Sequence, residues 1–336
     1  MGDLLKESLT WGHFLIFVLA AVVMLLIVLG FVTYTILFER KVLGWMQLRP
    51  GPNRVGPWGM LQTVADVLKL LIKEDTIPQK ADRPLFILAP VLVFVPSFAV
   101  IATLPFSKSL YNADLNVGLL YYAALSSIST IGVVLGGWAS NNKYALLGGM
   151  RSAAQMISYE IPLVISVVGV IMMSGSLNLR TIVDGQLGGI WHWNFLPQII
   201  GFVVFVIAAV SELNRTPFDL AEAESELVAG YFVEYSGFRW AFFMLAEYVY
   251  MFAMSTLITV LFLGGWDAPL PFLNFIPGLV WFALKFLLVV FFLIWLRGTM
   301  PRIRIDQLMG LGWKVLLPLA LVNILVTAAY LGIING

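Results

Sequence analysis

The stretch HFLIFVLAAVVMLLIVLGFVTYTIL, residues 13–37, runs for 25 residues without an Asp, Glu, Lys or Arg. A helix needs about 20 apolar residues to cross the hydrocarbon of a bilayer, and the core of a signal peptide is much shorter. The stretch reads as a membrane span. Further apolar runs near 85–104, 117–139, 159–174, 196–213, 240–264, 276–296 and 314–334 bring the total to eight. The fourth is short at its start and could begin nearer 149 if Arg151 and Gln155 face protein. The expected fold is an all-α integral membrane protein of about eight transmembrane helices, one polytopic domain over residues 1–336.

Composition agrees. The chain is 60% hydrophobic and 12% charged, where soluble domains carry roughly 25% charged residues. A net charge of +1 gives no reason to invoke a nucleic acid. Without cysteine there is no disulfide, thiolate metal site or cysteine-ligated iron–sulfur cluster, and two histidines, His13 and His192, are too few for a histidine-rich metal or haem site. Redox chemistry therefore belongs to a diffusible molecule or to a partner chain. Both histidines read as interfacial anchors.

The charges are not evenly spread. Loops at 38–84, 140–158, 214–239 and 297–313, with the adjoining span ends, hold 16 of the 20 Lys and Arg. The positive-inside rule puts these loops in the cytoplasm and both termini outside. No repeat of fixed period is present, which argues against a secondary transporter built from repeats around a midplane site.

These loops are too rich for connectors. Gln47-Leu48-Arg49-Pro50-Gly51-Pro52-Asn53-Arg54 has the prolines and glycines of a stiff turn-rich segment able to fix arginines in place. From Gly59 to Asp75 the period is helical: Gln62, Asp66, Lys69 and Lys73 make a polar stripe on an otherwise apolar cylinder, as expected of a helix lying in the interface. Such a helix could wall a lipid-accessible opening. In the third loop, Thr216-Pro217-Phe218-Asp219 suits a helix start, with Thr216 as N-cap and Pro217 in the first turn. The helix would run on to Val228, with Asp219, Glu222 and Glu226 on one face and Glu224 turned away. Crowded carboxylates raise one another's proton affinity.

Ionisable groups at membrane depth usually mark a pathway or a pair. Glu212 ends the fifth span, the unfavourable end of the helix dipole for an anion. Glu160 precedes Pro162, which leaves the Ser158 carbonyl without its helical donor and favours a water there. Glu247 lies about 12 Å along its helix from Arg239, and Lys285 about 18 Å from Arg297. The two are close enough in depth to pair if their helices are neighbours. Ser126-Ser127-Ile128-Ser129-Thr130 reads as small residues for close helix packing.

Taken together, Glu39-Arg40-Lys41, Gln47 through Asn53, Gly59 through Glu74, Arg151 through Glu160, Glu212 through Glu226, Glu234-Tyr235-Ser236-Gly237, Ala246-Glu247-Tyr248 and Arg297 through Met309 resemble the family of the H subunit of proton-translocating NADH–quinone oxidoreductases. Its mitochondrial counterpart is subunit 1 of respiratory complex I. The resemblance implies a membrane subunit without redox cofactor, metal, haem or cluster, inactive alone. It would sit in the bacterial plasma membrane and take quinone, ubiquinone or menaquinone, as substrate. Its partners would be the quinone-reducing and iron–sulfur subunits of a hydrophilic arm, small membrane subunits and antiporter-like subunits.

By the same resemblance, Gln47, Arg49, Arg215, Asp219, Arg297 and Arg302 would line or shape the quinone path. Asp66, Glu160, Glu212, Glu222, Glu224, Glu226 and Glu247 would couple protons. Departures from the family's pattern are small: Thr63 stands where proline is common, Ser211-Glu212-Leu213 replaces a Glu-Thr-Asn start, and Ile303 and Ile305 replace frequent aromatics. None removes a charged member. The membrane anchor of an energy-converting hydrogenase shares the architecture, but the arginine-bearing Gly-Pro-Asn loop and the Phe-Asp acidic segment favour a quinone enzyme.

Overall fold

A computed structural model describes residues 11–220 and 227–335, and among these there is no strand. The helices in chain order are α1 (Trp11–Met46), α2 (Gln62–Ile72), α3 (Arg83–Ile101), α4 (Gly118–Ala139), α5 (Lys143–Ser174), α6 (Leu179–Asp184), α7 (Ile199–Glu212), α8 (Gly237–Phe262), α9 (Gly278–Thr299), α10 (Ile305–Leu311) and α11 (Leu317–Asn335). Seven helical stretches among the described residues are long and apolar enough to cross a membrane: α1, α3, α4, α5, α8, α9 and the run Ile305–Ile333, in which one π-helical turn joins α10 to α11. The fifth expected span folds as the shorter apolar helix α7. Its 14 residues reach only about 21 Å. The chain is an all-α integral membrane protein.

Three helices outrun their expected limits into the charged loops. α1 continues past Phe38 to Met46 because nothing from Glu39 to Met46 breaks a helix, and the first proline comes only at Pro50. α5 begins at Lys143, where Asn142 caps it by accepting a bond from the Tyr144 amide at 2.9 Å. The expected loop 140–158 thus shrinks to a tight turn, and Glu160 lies mid-helix. α9 runs on to Thr299.

α8 is the hub. From Met251 to Phe262 every side chain is buried, and the helix is apolar nearly all round, as a fully enclosed helix must be. It packs on α3, α9, α1, α6, α2 and α7, while α5 joins α4, α7 and α11 on the other side. Small residues allow the closest approaches. A Cβ on Gly132 would stand 2.5 Å from Val93 Cγ2 between α4 and α3, and one on Gly137 would stand 2.6 Å from the Ala145 carbonyl oxygen between α4 and α5.

α2 is too short to span. It lies against α1 and α8 as the interfacial amphipathic helix.

Candidate functional site

The site is built where the charged ends of α1, α8 and α9 meet the loop after α7. α7 ends at Glu212, and two residues on Asn214 takes a left-handed φ of 49° that asparagine tolerates better than most residues. Gln155 on α5 then holds the loop: its Nε2 donates to the Ser211 and Phe218 carbonyls at 2.7 and 2.8 Å. Between those anchors Thr216–Asp219 forms a turn, not the first turn of a helix, with the Phe218 amide bonded to the Arg215 carbonyl at 2.9 Å. The expected helix start at Thr216 is therefore absent. The turn instead drives Arg215 into the protein.

Arg215 is 2% exposed. Its Nη1 donates to Glu39 Oε2 at 2.9 Å and its Nε lies 2.9 Å from Glu247 Oε1. Its guanidinium rests 4.5 Å from the centroid of the Tyr248 ring. Tyr248 in turn donates its hydroxyl to Glu39 Oε2 at 3.0 Å, and Arg297 pairs with Glu39 Oε1. Two acids and two guanidiniums thus form a formally neutral quartet. Neutrality is what makes it tolerable, because removing one member would leave a buried charge uncompensated. Burial opposes the charge on Arg215, but Glu39, then Glu247, holds its pKa well above the ordinary arginine value.

A cavity of about 400 Å³ opens beside the quartet. α1 lines it with Val32, Ile36 and Leu43, α2 with Val67 and Leu70, and α8 with Trp240, Met244 and Leu245. Its polar end is Glu39, Arg297 and Tyr248, together with Asp66 and Arg40. Those last two pair at 2.5 Å, and Gln62 donates to Asp66 at 3.2 Å. An apolar chamber with a few convergent polar groups, in this volume range, suits an amphiphilic ligand with a polar head.

A second, smaller cavity of about 40 Å³ lies between Glu247 and Glu212, walled by Asn214, Tyr231 and Tyr250 among others. A water needs about 10–15 Å³, so two or three would fit. Beyond it, Glu212 interacts electrostatically with Glu160 and has Ser126 at its carboxyl, while its Oε2 is buried without a protein partner. Ser127 donates to Glu160. The hydroxyl-rich stretch of α4 thus does more than pack, since two of its serines face the two acids.

Of the residues singled out by sequence, Asp66, Arg297, Arg215 and Glu247 converge on the large cavity and its quartet, and Glu160 and Glu212 on the far side of the small one. Asp219 pairs with Arg302 at 3.1 Å, and the Ile303 amide bonds the Pro217 carbonyl at 3.1 Å, so the loop before α10 is strapped to the Arg215 turn. Gln47 and Arg49 bond each other at 2.8 Å on the exposed loop after α1, outside the cavity lining. Glu222, Glu224 and Glu226 lie outside the described residues. His192 is exposed at the opposite face.

Glu39 was missed as a site residue, although it joins three partners. Its position as the first charge after an apolar run made it look like the start of a loop. The suggested pairing of Lys285 with Glu247 does not form either. Lys285 donates to the carbonyls of Leu263, Gly265 and Asp267 at 2.6, 3.1 and 2.7 Å, and its ammonium lies 3.8 Å from the Trp193 ring centroid. It caps the C-terminal end of α8, where the helix dipole favours a cation, while Glu247 sits in the other half of the same helix with Arg215.

Comparison with known proteins agrees with the family resemblance. A family model described as NADH dehydrogenase matches residues 19–328. The chain is 70% identical over 329 residues to the H subunit of the NADH-quinone oxidoreductase of Anoxybacillus flavithermus, covering 98% of each. It is 64% identical over 336 residues to that of Brevibacillus brevis, covering 100% of this chain and 99% of the relative. Against that of Bacillus mycoides the identity is 68% over 326 residues, 97% of each. With matches of this extent, the chain belongs to the NADH dehydrogenase family, alongside relatives named as H subunits of NADH-quinone oxidoreductase.

Proposed function

We propose that the chain is the membrane subunit of a proton-translocating NADH–quinone oxidoreductase that forms part of the quinone chamber and couples quinone reduction to proton movement. The observation that carries the reading is the 400 Å³ cavity: apolar walls from α1, α2 and α8 end at Glu39, Arg297 and Tyr248. A quinone lives in the bilayer, so an apolar approach suits its tail. Its reduction takes up two protons, so ionisable groups suit its head.

Coupling is electrostatic. Charge appearing on the quinone head perturbs the Glu39–Arg215–Glu247–Arg297 quartet, and a change at Glu247 reaches Glu212 and Glu160 through the small cavity. Two or three waters there would complete a hydrogen-bonded path. Asp219, Arg302, Gln47 and Arg49 shape the quinone path from outside the cavity lining, and Glu222, Glu224 and Glu226 extend the acidic chain. The chain has no cysteine, so electrons arrive from iron–sulfur and quinone-reducing subunits of a hydrophilic arm. Protons leave by antiporter-like membrane subunits. The protein lies in the bacterial plasma membrane with its arginine-rich loops in the cytoplasm and both termini outside.

The test is copurification of the tagged chain and assay of the assembly. NADH-driven quinone reduction with proton uptake supports the reading. Copurification with nickel-site subunits and no quinone reductase activity refutes it in favour of a hydrogenase anchor.

A further inference from the structure

Outside the quinone chamber, a concavity of about 530 Å³ lies at the corner where the start of α3, the end of α4 and the start of α5 meet on the charged face. Its lining includes Lys80, Asp82, Trp138, Asn142 and Lys143. The walls are fixed by internal bonds. The Asp82 amide donates to the Ala139 carbonyl at 3.1 Å, so the last turn of α4 is engaged, and Asn141 Nδ2 donates to the Lys80 carbonyl at 3.1 Å. Asn141 is held at a φ of 48° to do so. Asn142 caps α5 and also donates to Glu234 Oε1 at 2.6 Å.

The amides are therefore used, but the two lysine side chains are not: among the described residues neither Lys80 nor Lys143 forms an ion pair. Asp82 is the one acid of the lining, so the concavity is net cationic. Its setting supplies the rest. Trp138 and Tyr144, 64% and 51% exposed, stand at the level where aromatic rings mark a membrane interface. One turn and two turns deeper along α5, Leu147 and Met150 are exposed apolar side chains facing outward.

We propose that this corner binds the phosphate head of an anionic phospholipid, with Lys80 and Lys143 as its cationic contacts, Trp138 and Tyr144 at the glycerol level and the outer face of α5 along the acyl chains. A basic pocket between helix ends at the interface is the geometry that recognises such heads. The site is independent of the quinone reading, since it shares no lining residue with either cavity of that site.

The experiment uses the protein extracted with whatever subunits copurify, delipidated and titrated with spin-labelled phosphatidylglycerol or phosphatidylcholine. The wild type is expected to immobilise phosphatidylglycerol preferentially. The double variant K80Q/K143Q should lose that preference by about tenfold or more, while K80R/K143R retains it. Equal preference in the glutamine variant overturns the proposal. So does full displacement by millimolar inorganic phosphate, which would make the corner a free-anion site. Protection of both lysines from an aqueous acylating reagent in the delipidated assembly also overturns it, because a partner chain would then cover them.

Discussion

Arg215 and Glu39 form an ion pair 2.9 Å long across 176 residues of sequence, with side-chain exposures of only 2% and 5%. The pair ties the turn after α7 to the end of α1, and through Glu39 to Arg297 on α9. Three elements thus close around one carboxylate at the polar end of an apolar cavity. A charge that appears in that cavity faces Glu39 together with Arg297 and Tyr248.

Arg215→Met removes the shared partner of Glu39 and Glu247 and leaves both acids buried. The expected loss is about 3–5 kcal/mol of stability, seen as poor yield of the assembled complex and a lowered Tm. Arg49→Met, on the exposed loop, should change stability by no more than about 0.5 kcal/mol. Thermal unfolding of the two variants side by side checks the contrast. An effect confined to the apparent quinone KM in Arg49→Met would place that residue at the mouth of the path.

Glu212→Gln and Glu160→Gln keep the shape of the small acidic cluster and remove its titration. Proton translocation coupled to quinone reduction should fall about tenfold or more, with assembly intact, because Ser126 and Ser127 can hydrogen-bond an amide as well as a carboxylate. Normal pumping in both variants would remove these acids from the proton path. Ser127→Ala should give a weaker form of the Glu160→Gln defect.

Hydropathy and charge asymmetry are local properties, and they made the helical membrane fold and the charged face legible in the sequence. The 3.6-residue stripe of Gln62, Asp66 and Lys69 likewise announced α2. Partner choice is not local. Arg215 could not be matched to Glu39, because nothing near either residue indicates a contact made across the bundle. Thr216-Pro217-Phe218-Asp219 carries the residue types of a helix start, yet Gln155, more than 50 positions earlier, holds that segment as a turn. Lys285 and Glu247 matched in estimated depth, but the length of α8 carries its C-terminal carbonyls to Lys285 while Glu247 stays near Arg215.

Lys285→Met tests the structural reading of that lysine. Three carbonyl bonds and the contact with Trp193 are lost, at an expected cost of about 2–4 kcal/mol. The quinone KM and the ratio of protons moved to quinone reduced should stay at wild-type values in whatever complex assembles. A changed ratio would bring Lys285 into the proton path after all.

Val67, on the cavity side of α2 and 40% exposed, offers a way to fill the chamber without disturbing the core. Val67→Trp should oppose quinone with roughly 1–3 kcal/mol of crowding, raising the apparent quinone KM about fivefold or more with little change in Tm. Steady-state kinetics over a range of quinone concentrations read this directly.

The most direct measurement is photolabelling of the assembled complex with an azido-quinone, followed by peptide mapping of this chain. Label should fall on residues 32–43, 63–70 and 238–248, be competed by unlabelled quinone, and drop in Val67→Trp. Label confined to partner subunits, or spread over the lipid-facing sides of α4 and α5 without competition, would contradict a quinone chamber in this chain.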